Sequence, residues 1–422
     1  MTEKMKPSGI AWIGDIPTEW DLTKVRFATK VRSEKGYYCA EDKYIGLENI
    51  SSYTGKYIPA ETEYDPGLYD IYREGDVLFS KLRPYLAKAL IADDNGFCTG
   101  ELEVISDYLG DKRFLFYYLL SDGFLKMVDA STYGTKMPRA NWEYIKNLQI
   151  PVVPCWEQCA IADYLDAQCA KIDSVIADIE KQIEILQKYK KSLITETVTK
   201  GLDRSVPMKD SGFDWVPQIP TSWGVDRLGN ISNLRNGYVG PTKDILVDEG
   251  EPYIQSLHVK NGKIVFGEDF YVTVAWGKHH PKIAKGDILL VQTGEIGQIA
   301  LVDEQYDGCN CHALIICSPD AKRVYPSYLL YYLMSSVGNS QLMIYETGTT
   351  LKHLNSTKIK NSKVIIPPVE VQKDIADFLD VRTKKIDAII ETKQKQMGTM
   401  LSHKKSLIYE YVTGKKRVTE VN

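Results

Sequence analysis

The sequence lacks the features of a membrane or secreted protein. No apolar run approaches the roughly 20 residues that a helix needs to cross a bilayer, and the first residues, MTEKMKPSGI, contain no apolar signal segment. The 8 cysteines form no Cys-x-x-Cys pair, and the CNCH segment at 309–312 has no second ligand pair at zinc-finger spacing. We therefore expect a cytoplasmic protein whose cysteines are structural or incidental thiols.

A strongly basic charge balance is also missing, because the formal net charge is −4 at pH 7. A protein that coats nucleic acid without selectivity would be basic over most of its surface. The charge does not exclude DNA, but any DNA contact must then be local or shared with partner subunits.

Catalytic motifs are absent as well. The sequence has no phosphate-binding GxxxxGK[ST] loop, no HExxH zinc motif and no GxSxG nucleophile elbow. The IPPV segment at 366–369 lacks the leading polar residue and the aromatic residue of an amino-methyltransferase motif. His279 and His280 are adjacent and cannot share a face of a helix or strand, so we expect surface histidines. The sequence thus predicts a chain without catalytic residues and without a metal site.

The strongest positive signal is a long internal repeat. SGIAWIGDIPTEW at 8–20 returns as SGFDWVPQIPTSW at 211–223, and GDVLFS at 75–80 returns as GDILLV at 286–291. Further matches follow in the same order: 114–122 with 328–336, 133–137 with 347–351, and 157–176 with 371–390. The copies are too long for solenoid units of about 20 to 50 residues. Each copy is expected to be an α+β domain followed by a long helix.

Both copies end in a segment with an apolar residue at every seventh position, which is typical of a coiled-coil seam. In the first helix, Ile161, Val175 and Tyr189 are assigned to the second position of the seam. We expect the two helices to pair as an antiparallel coiled coil; the alternative is that each helix packs only on its own domain. The predicted seam consists of Leu165, Ile172, Ile179, Leu186 and Leu193 in the first helix and Leu379, Ile386, Met400 and Leu407 in the second, with Lys393 breaking the run.

The two copies differ most in their middle parts, where polar, aromatic and basic residues cluster near predicted strand ends. Arginine and lysine can pair with guanine edges or phosphate, asparagine and glutamine with adenine, and glutamate with cytosine. Different chemistry in equivalent loops favours two DNA specificities over ordinary solvated loops. The candidate DNA-binding residues are Lys81, Arg83, Tyr85, Lys88, Tyr133, Lys136, Arg139 and Asn141 in the first copy, and Gln292, Thr293, Glu295, Gln298, Thr349, Thr350, Lys352 and His353 in the second.

The combination of these motifs resembles the specificity subunit of type I restriction–modification systems. The resemblance rests on IPTEW and IPTSW, the GDVLFS and GDILLV strands, the GTKM and GTTL loops, and the two helix starts, and it covers nearly the whole chain. One departure is Val371, where the family pattern and Glu157 would place glutamate before Gln372. The implied segments are a first target recognition domain at 1–154, a central helix at 155–203, a second target recognition domain at 204–368 and a C-terminal helix at 369–417.

The resemblance implies an α+β protein with two tandem target recognition domains, each reading one half of a bipartite double-stranded DNA site. The helices would set the spacing and dock two methyltransferase subunits, and motor–nuclease subunits would complete the complex. Those partners, not this chain, would bind S-adenosylmethionine, ATP and magnesium. The alternatives are a coiled-coil scaffold that binds only proteins, a nuclease with a cryptic site, or the recognition half of a related methyltransferase or nuclease.

Overall fold

The computed structural model describes residues 4–60, 62–267, 269–348 and 352–418. The chain divides into two compact units, the first formed by 1–180 with 394–422 and the second by 181–393. Each unit therefore combines one globular copy with a part of both long helices. The predicted site residues Thr349 and Thr350 lie outside the described residues.

The first unit has an α+β globular part. Its strands are β1 (Met5–Pro7), β2 (Asp15–Pro17), β3 (Asp21–Lys24), β4 (Thr29–Val31), β5 (Lys35–Tyr38), β6 (Tyr44–Ile45), β7 (Gly67–Tyr72), β8 (Val77–Ser80), β9 (Ala89–Ile91), β10 (Gly96–Cys98), β11 (Leu102–Tyr108) and β12 (Gln149–Val152). Its helices are α1 (Val25–Ala28), α2 (Lys112–Leu119), α3 (Asp122–Asp129) and α4 (Trp142–Ile145), followed by the long α5 (Cys155–Lys200), which continues into the second unit. The strands form two four-stranded sheets, ordered β4-β11-β8-β9 and β5-β7-β10-β6, and the pairs β1-β2 and β3-β12.

The second unit repeats this plan. Its strands are β13 (Met208–Asp210), β14 (Gln218–Pro220), β15 (Gly224–Arg227), β16 (Ser232–Asn236), β17 (Leu246–Val247), β18 (Glu251–Ile254), β19 (Val259–Lys260), β20 (Lys263–Ile264), β21 (Tyr271–Val272), β22 (Ile288–Val291), β23 (Ile299–Leu301), β24 (Asn310–Cys311), β25 (Leu314–Pro319), β26 (Glu346–Thr347), β27 (His353–Leu354) and β28 (Lys363–Ile366). Its helices are α6 (Leu228–Ile231), α7 (Val274–Gly277), α8 (Pro326–Met334), α9 (Ser336–Met343) and the long α10 (Val369–Val412), which ends in the first unit. The sheet order β16-β25-β22-β23 matches β4-β11-β8-β9 of the first unit. The other sheet is ordered β17-β21-β18-β24, so β18 lies beside β21, whereas in the first unit β10 rather than β6 lies beside β7.

The repeated Gly-Asp dipeptide marks a turn into the central strand of each unit. Gly75 has φ +77°, a left-handed conformation that favours glycine. The next residue, Asp76, is buried, and its carboxylate accepts hydrogen bonds from the Arg73 amide at 2.9 Å and from Arg32 Nε at 2.9 Å. The second unit repeats this contact, because the buried Asp287 pairs with Arg235 at 3.0 Å.

The repeated tryptophans pack into the cores of their units. Trp20 is fully buried among the apolar side chains of the first core, which include Ile13 and Phe114. Trp223 is buried in the second core with Ile219 and other aliphatic residues. The repeated phrase therefore contributes a buried tryptophan to the core of each unit.

In the first unit, parts of α5 and α10 pack against each other in antiparallel order. The ring centroids of Tyr164 and Tyr411 lie 4.5 Å apart. Further along α5, Asp173 accepts a hydrogen bond from Lys404 Nζ at 2.7 Å. Residue numbers rise along one helix as they fall along the other, so the two segments run in opposite directions.

The second unit contains the equivalent contact between the remaining parts of both helices. Lys190 Nζ donates to Asp387 Oδ1 at 2.7 Å, and Gln182 accepts a hydrogen bond from Lys393. The helices therefore run antiparallel within this unit too, whereas a coiled coil over their full length stays a prediction.

The seam of the helices differs in part from the predicted heptad. Val175 is 44% exposed and Tyr189 is 56% exposed, so their assignment to the seam is wrong. Ile176 and Ile183 are less exposed. Each lies three or four residues from the neighbouring seam residues, a spacing that places side chains on one face of a helix. Of the nine predicted seam residues, Leu165, Ile172, Ile179, Leu379, Ile386 and Leu407 are buried, while Leu186, Leu193 and Met400 are half-buried.

Candidate nucleic-acid interface

The fold brings the two candidate loops of the first unit together. These loops, at 81–88 and 133–141, are called the first loop pair. The Ala140 amide donates to the Lys81 carbonyl at 2.8 Å, and the Arg83 amide donates to the Pro138 carbonyl at 2.7 Å. Residues far apart in sequence thus form one surface, which sequence spacing alone did not show.

The second unit joins its equivalent loops with the same backbone register. We call 292–298 with 352–354 the second loop pair. The Leu354 amide donates to the Gln292 carbonyl at 2.8 Å, and Thr293 pairs with His353 in a short antiparallel bridge. Thr293 Oγ1 and His353 Nδ1 are 2.8 Å apart, so a side-chain hydrogen bond adds to the backbone contact.

Three of the predicted basic residues in the first loop pair are already engaged within the protein. Lys81 Nζ pairs with Glu103 at 2.8 Å, and Arg139 Nε donates to Glu101 at 2.8 Å while its Nη2 makes a second hydrogen bond to the same carboxylate. The Lys88 ammonium donates to the carbonyl of Leu47 at 2.6 Å, and burial lowers the pKa of Lys88. These interactions hold the two loops in place within the protein.

The remaining candidates in the first loop pair differ in accessibility, because Arg83 is half-buried and its Nη2 donates to the Lys136 carbonyl at 3.3 Å. Tyr85, Tyr133 and Lys136 are exposed. Arg83 has φ +49°, and its Nε is buried without a hydrogen-bond partner among the described residues. Asn141 accepts a hydrogen bond from the Glu143 amide at 2.9 Å and so caps α4. The exposed tyrosines and Lys136 can reach bases or phosphates, whereas the Asn141 carboxamide oxygen is used in the cap.

The second loop pair has a different set of accessible groups. Glu295 and His353 are exposed, while Gln292 is half-buried. Gln298 Oε1 accepts a long contact from the Asn261 amide at 3.5 Å. Lys352 Nζ pairs with Glu346 at 2.8 Å. This surface offers amide, hydroxyl, carboxylate and imidazole groups where the first loop pair offers cations and phenols.

Sequence reasoning missed the acidic partners of the first loop pair. Glu101 and Glu103 alternate with Leu102 and Val104, and both of these apolar residues are buried. The alternation is the pattern of a strand with one polar face, and it could have placed both carboxylates on one side of β11. Their partners were not predictable, because Lys81 and Arg139 reach them from different parts of the chain.

No group of three or more histidine, cysteine, aspartate or glutamate side chains suited to a metal ion occurs within the described ranges. In the CNCH segment, Cys309 and Cys311 are buried, and burial raises the pKa of Cys309 to about 11 and that of Cys311 to about 12. These thiols are therefore protonated near neutral pH. In the part of the chain that is described, none of the helices combines the length and apolar character needed to cross a bilayer.

Comparisons with known proteins match most of the chain. A family model described as "Type I restriction modification DNA specificity domain" matches residues 18–185 and 220–397. The MjaVIII specificity subunit of Methanocaldococcus jannaschii, a type I restriction enzyme subunit, is 29% identical over 327 residues, covering 74% of this chain and 72% of that protein. A putative type I restriction enzyme specificity subunit, MjaX, from the same organism is 25% identical over 430 residues and 96% of both chains.

A solved chain also has a similar fold. It comes from work on complex assembly and conformational transition of the type I R-M system, and its TM-score is 0.68 at 18% identity. The match covers 95% of this chain and 99% of the solved one, so the likeness of fold extends over both copies.

Proposed function

The chain belongs to the type I restriction–modification DNA specificity family, and on that premise we propose that each loop pair contacts one half of a bipartite DNA site. The observation that carries the proposal is the common backbone register of the two pairs. Ala140 to Lys81 in one unit and Leu354 to Gln292 in the other make the same hydrogen bond at 2.8 Å. The same backbone arrangement thus presents a different set of side chains in each unit.

The side chains of the two pairs suit different base edges. In the first pair, Arg83 and Lys136 can approach guanine or phosphate, and the exposed Tyr133 offers a phenol for stacking or hydrogen bonding. In the second, Gln292 can pair with adenine and Glu295 can accept from the cytosine amino group. Two dissimilar half-sites follow from this chemistry.

The chain is a non-catalytic recognition subunit, and we assign methylation and cleavage to partner subunits in the cytoplasm. Methyltransferase subunits would dock on the long helices and bind S-adenosylmethionine, while motor–nuclease subunits would use ATP and magnesium. In the second unit, both helices expose apolar side chains away from their own seam. These are Ile185 and Tyr189 on α5 and Val381 and Ile389 on α10. Ile185 and Tyr189 lie four residues apart on one face of α5, and contiguous exposed apolar surface is typical of protein interfaces.

The proposal is tested with the full chain assembled with its modification subunits. Methylated adenines are mapped by sequencing for the wild type and for the Arg83→Ala, Lys136→Ala double variant. We expect a bipartite motif in the wild type and reduced methylation at sites of that motif in the double variant. Lys30→Ala is the matched control, since Lys30 is an exposed cation on β4 outside both loops.

Two results would contradict the proposal. A wild-type complex that methylates no bipartite motif would exclude the half-site arrangement. A double variant that methylates its sites as efficiently as the Lys30→Ala control would exclude the first loop pair from the interface. Assembly is checked by co-purification, so that loss of methylation through failed assembly is recognised.

A further inference from the structure

Two carboxylates lie beneath the first loop pair. Glu103 pairs with Lys81, and the side chains of this pair are only 12% and 20% exposed. Glu101 binds the guanidinium of Arg139 through two hydrogen bonds, and its backbone carbonyl accepts the Lys81 amide at 2.9 Å. Both loops are therefore fixed to the start of β11 by ion pairs.

The equivalent positions of the second unit carry no charge. Leu102 pairs with Ser80 in one sheet, and Leu314 pairs with Val291 in the other. Because these registers correspond, the residues on either side of each leucine are equivalent: Glu101 and Glu103 in the first unit, and Ala313 and Ile315 in the second. The second loop pair is joined instead by a hydrogen bond between the Thr293 hydroxyl and the His353 imidazole.

The carboxylates also change how the first loop pair meets a polyanion. A lysine or arginine that neutralises a phosphate releases a counterion, which strengthens binding to any sequence. Lys81 and Arg139 are held by carboxylates, and these cations are thereby withheld from the phosphate backbone. Each carboxylate in addition repels phosphate, so a misplaced duplex gains little from this surface.

We infer that Glu101 and Glu103 are positioning residues for sequence discrimination by the first loop pair. They fix the register of its two loops and keep Lys81 and Arg139 from contributing to non-specific DNA binding. The inference rests on the proposed function and deepens it, because it predicts that only one half-site is guarded by an ionic clamp. In the second loop pair the two loops are joined by hydrogen bonds, and the ion pair of Lys352 with Glu346 does not connect them.

The test uses the full chain in complex with its modification subunits. Glu101→Gln, Glu103→Gln and the double variant are compared with the wild type on a duplex that lacks the target, over a range of salt concentrations. Releasing one cation should steepen the dependence of log K on log salt by about 0.9, and releasing both by about 1.8. The methylation pattern should become degenerate in one half-site and remain unchanged in the other.

A matched set of variants separates positioning from folding. Glu101→Gln with Arg139→Gln removes the cation as well as the carboxylate, so the wild-type salt dependence should return. Glu34→Gln is the surface control, because Glu34 pairs with Arg73 at 2.8 Å on exposed side chains of the same unit. Glu101→Asp keeps the charge and should retain most of the discrimination.

The outcomes distinguish this inference from the function on which it depends. A wild-type complex without a bipartite motif would remove the proposed function itself. A bipartite wild type with Glu101→Gln unchanged in salt dependence and in half-site discrimination would overturn the inference alone. Equal salt dependence in Glu101→Gln and in its double variant with Arg139→Gln would also overturn it, because no cation would then have been released.

Discussion

Gln158 in the first unit and Gln372 in the second lie at equivalent positions, where a globular part joins the start of a long helix. Gln158 donates to the Val153 carbonyl at 2.8 Å and accepts from the Asp111 amide at 3.2 Å. Gln372 donates to the Pro367 carbonyl and accepts from the Tyr325 amide, both at 2.8 Å. The joint is thus identical in hydrogen bonding, although most neighbouring side chains differ.

The residue before each glutamine shows where the units diverge. Glu157 is buried and accepts hydrogen bonds from Trp20 Nε1 at 3.0 Å and from Arg417 Nε at 2.7 Å. Val371 takes its place in the second unit and packs on the apolar core, which explains why this position departs from the family pattern. The copies therefore keep the backbone joints and differ in the charges they bury. Substitutions at equivalent positions of the two units test that difference.

The largest difference is expected between the two helix ion pairs. The side chains of Lys404 and Asp173 are 3% and 10% exposed, whereas those of Lys190 and Asp387 are 15% and 48% exposed. Lys404→Met leaves a buried carboxylate without its partner and should lower the free energy of unfolding by about 3 to 5 kcal/mol. Lys190→Met should cost about 1 kcal/mol or less, because water replaces the partner. Urea denaturation of both variants measures the difference.

A second variant controls for the loss of packing at this position. Lys404→Met combined with Asp173→Leu removes both charges, and it should recover most of the stability because the unpaired carboxylate is gone. Equal losses in Lys404→Met and Lys190→Met would show that burial does not distinguish the two ion pairs.

The next effect concerns the C-terminal segment of the first unit. Arg417→Ala leaves the buried Glu157 with Trp20 as its hydrogen-bond donor, which should lower the free energy of unfolding by about 2 to 3 kcal/mol. The equivalent Arg204 pairs with Glu196 on exposed side chains, so Arg204→Ala should leave stability unchanged. Hydrogen exchange at the Trp20 amide reports on the first unit directly. Unchanged protection in Arg417→Ala would show that the Arg417–Glu157 ion pair does not stabilise the first unit.

A smaller difference is expected at the glycines that follow the long helices. Gly414 has φ +71°, and a Cβ there would lie 2.4 Å from the Pro17 ring. Gly201 has φ +79°, but its nearest neighbour would be Trp223 at 3.1 Å. Alanine is strained at both sites and also collides at the first. Gly414→Ala should cost about 2 to 3 kcal/mol and Gly201→Ala about 1 kcal/mol, and thermal unfolding of the two variants tests the order.

The sequence predicts the elements of each copy better than the contacts between them. The repeat places the Gly-Asp turns, the buried tryptophans and the long helices, because glycine conformation and apolar periodicity are local signals. A strict seven-residue period places Val175 and Tyr189 in the seam, whereas the three- and four-residue steps of a helix place Ile176 and Ile183 there. Apolar residues on the exposed face of a helix can recur at the same spacing as those in its seam, so the spacing alone does not tell the two faces apart.

The sequence predicts which loops form the candidate interface, but it does not predict which of their side chains are free to contact DNA. Lys81, Lys88 and Arg139 look like DNA ligands in sequence, since basic residues near strand ends have that chemistry. Their partners Glu101, Glu103 and the Leu47 carbonyl come from distant segments. Which cations remain available therefore depends on tertiary pairing, which the sequence pattern does not encode locally.

The smallest difference is one of pH dependence. His258 is fully buried, its Nδ1 accepts from the Gln255 amide at 3.0 Å, and its Nε2 lies 3.1 Å from Asp269. The first unit makes the same turn with a residue that does not titrate, because Asn49 accepts from the Gly46 amide at 2.8 Å. Burial lowers the pKa of His258, and it also lowers the pKa of His312.

These histidines should make the second unit less stable in mild acid. As the pH falls below the ordinary histidine value of about 6.5, the unfolded chain binds protons that the folded unit resists, so the free energy of unfolding decreases. His258→Asn should remove the part of this decrease that belongs to His258, because the amide oxygen can accept the same hydrogen bond. Urea midpoints at about pH 7.5 and pH 5.5 measure it, with Asn49→His as the reciprocal variant. If His258→Asn leaves the acid-induced decrease intact, the titrating group lies elsewhere, and His312 is the next position to replace.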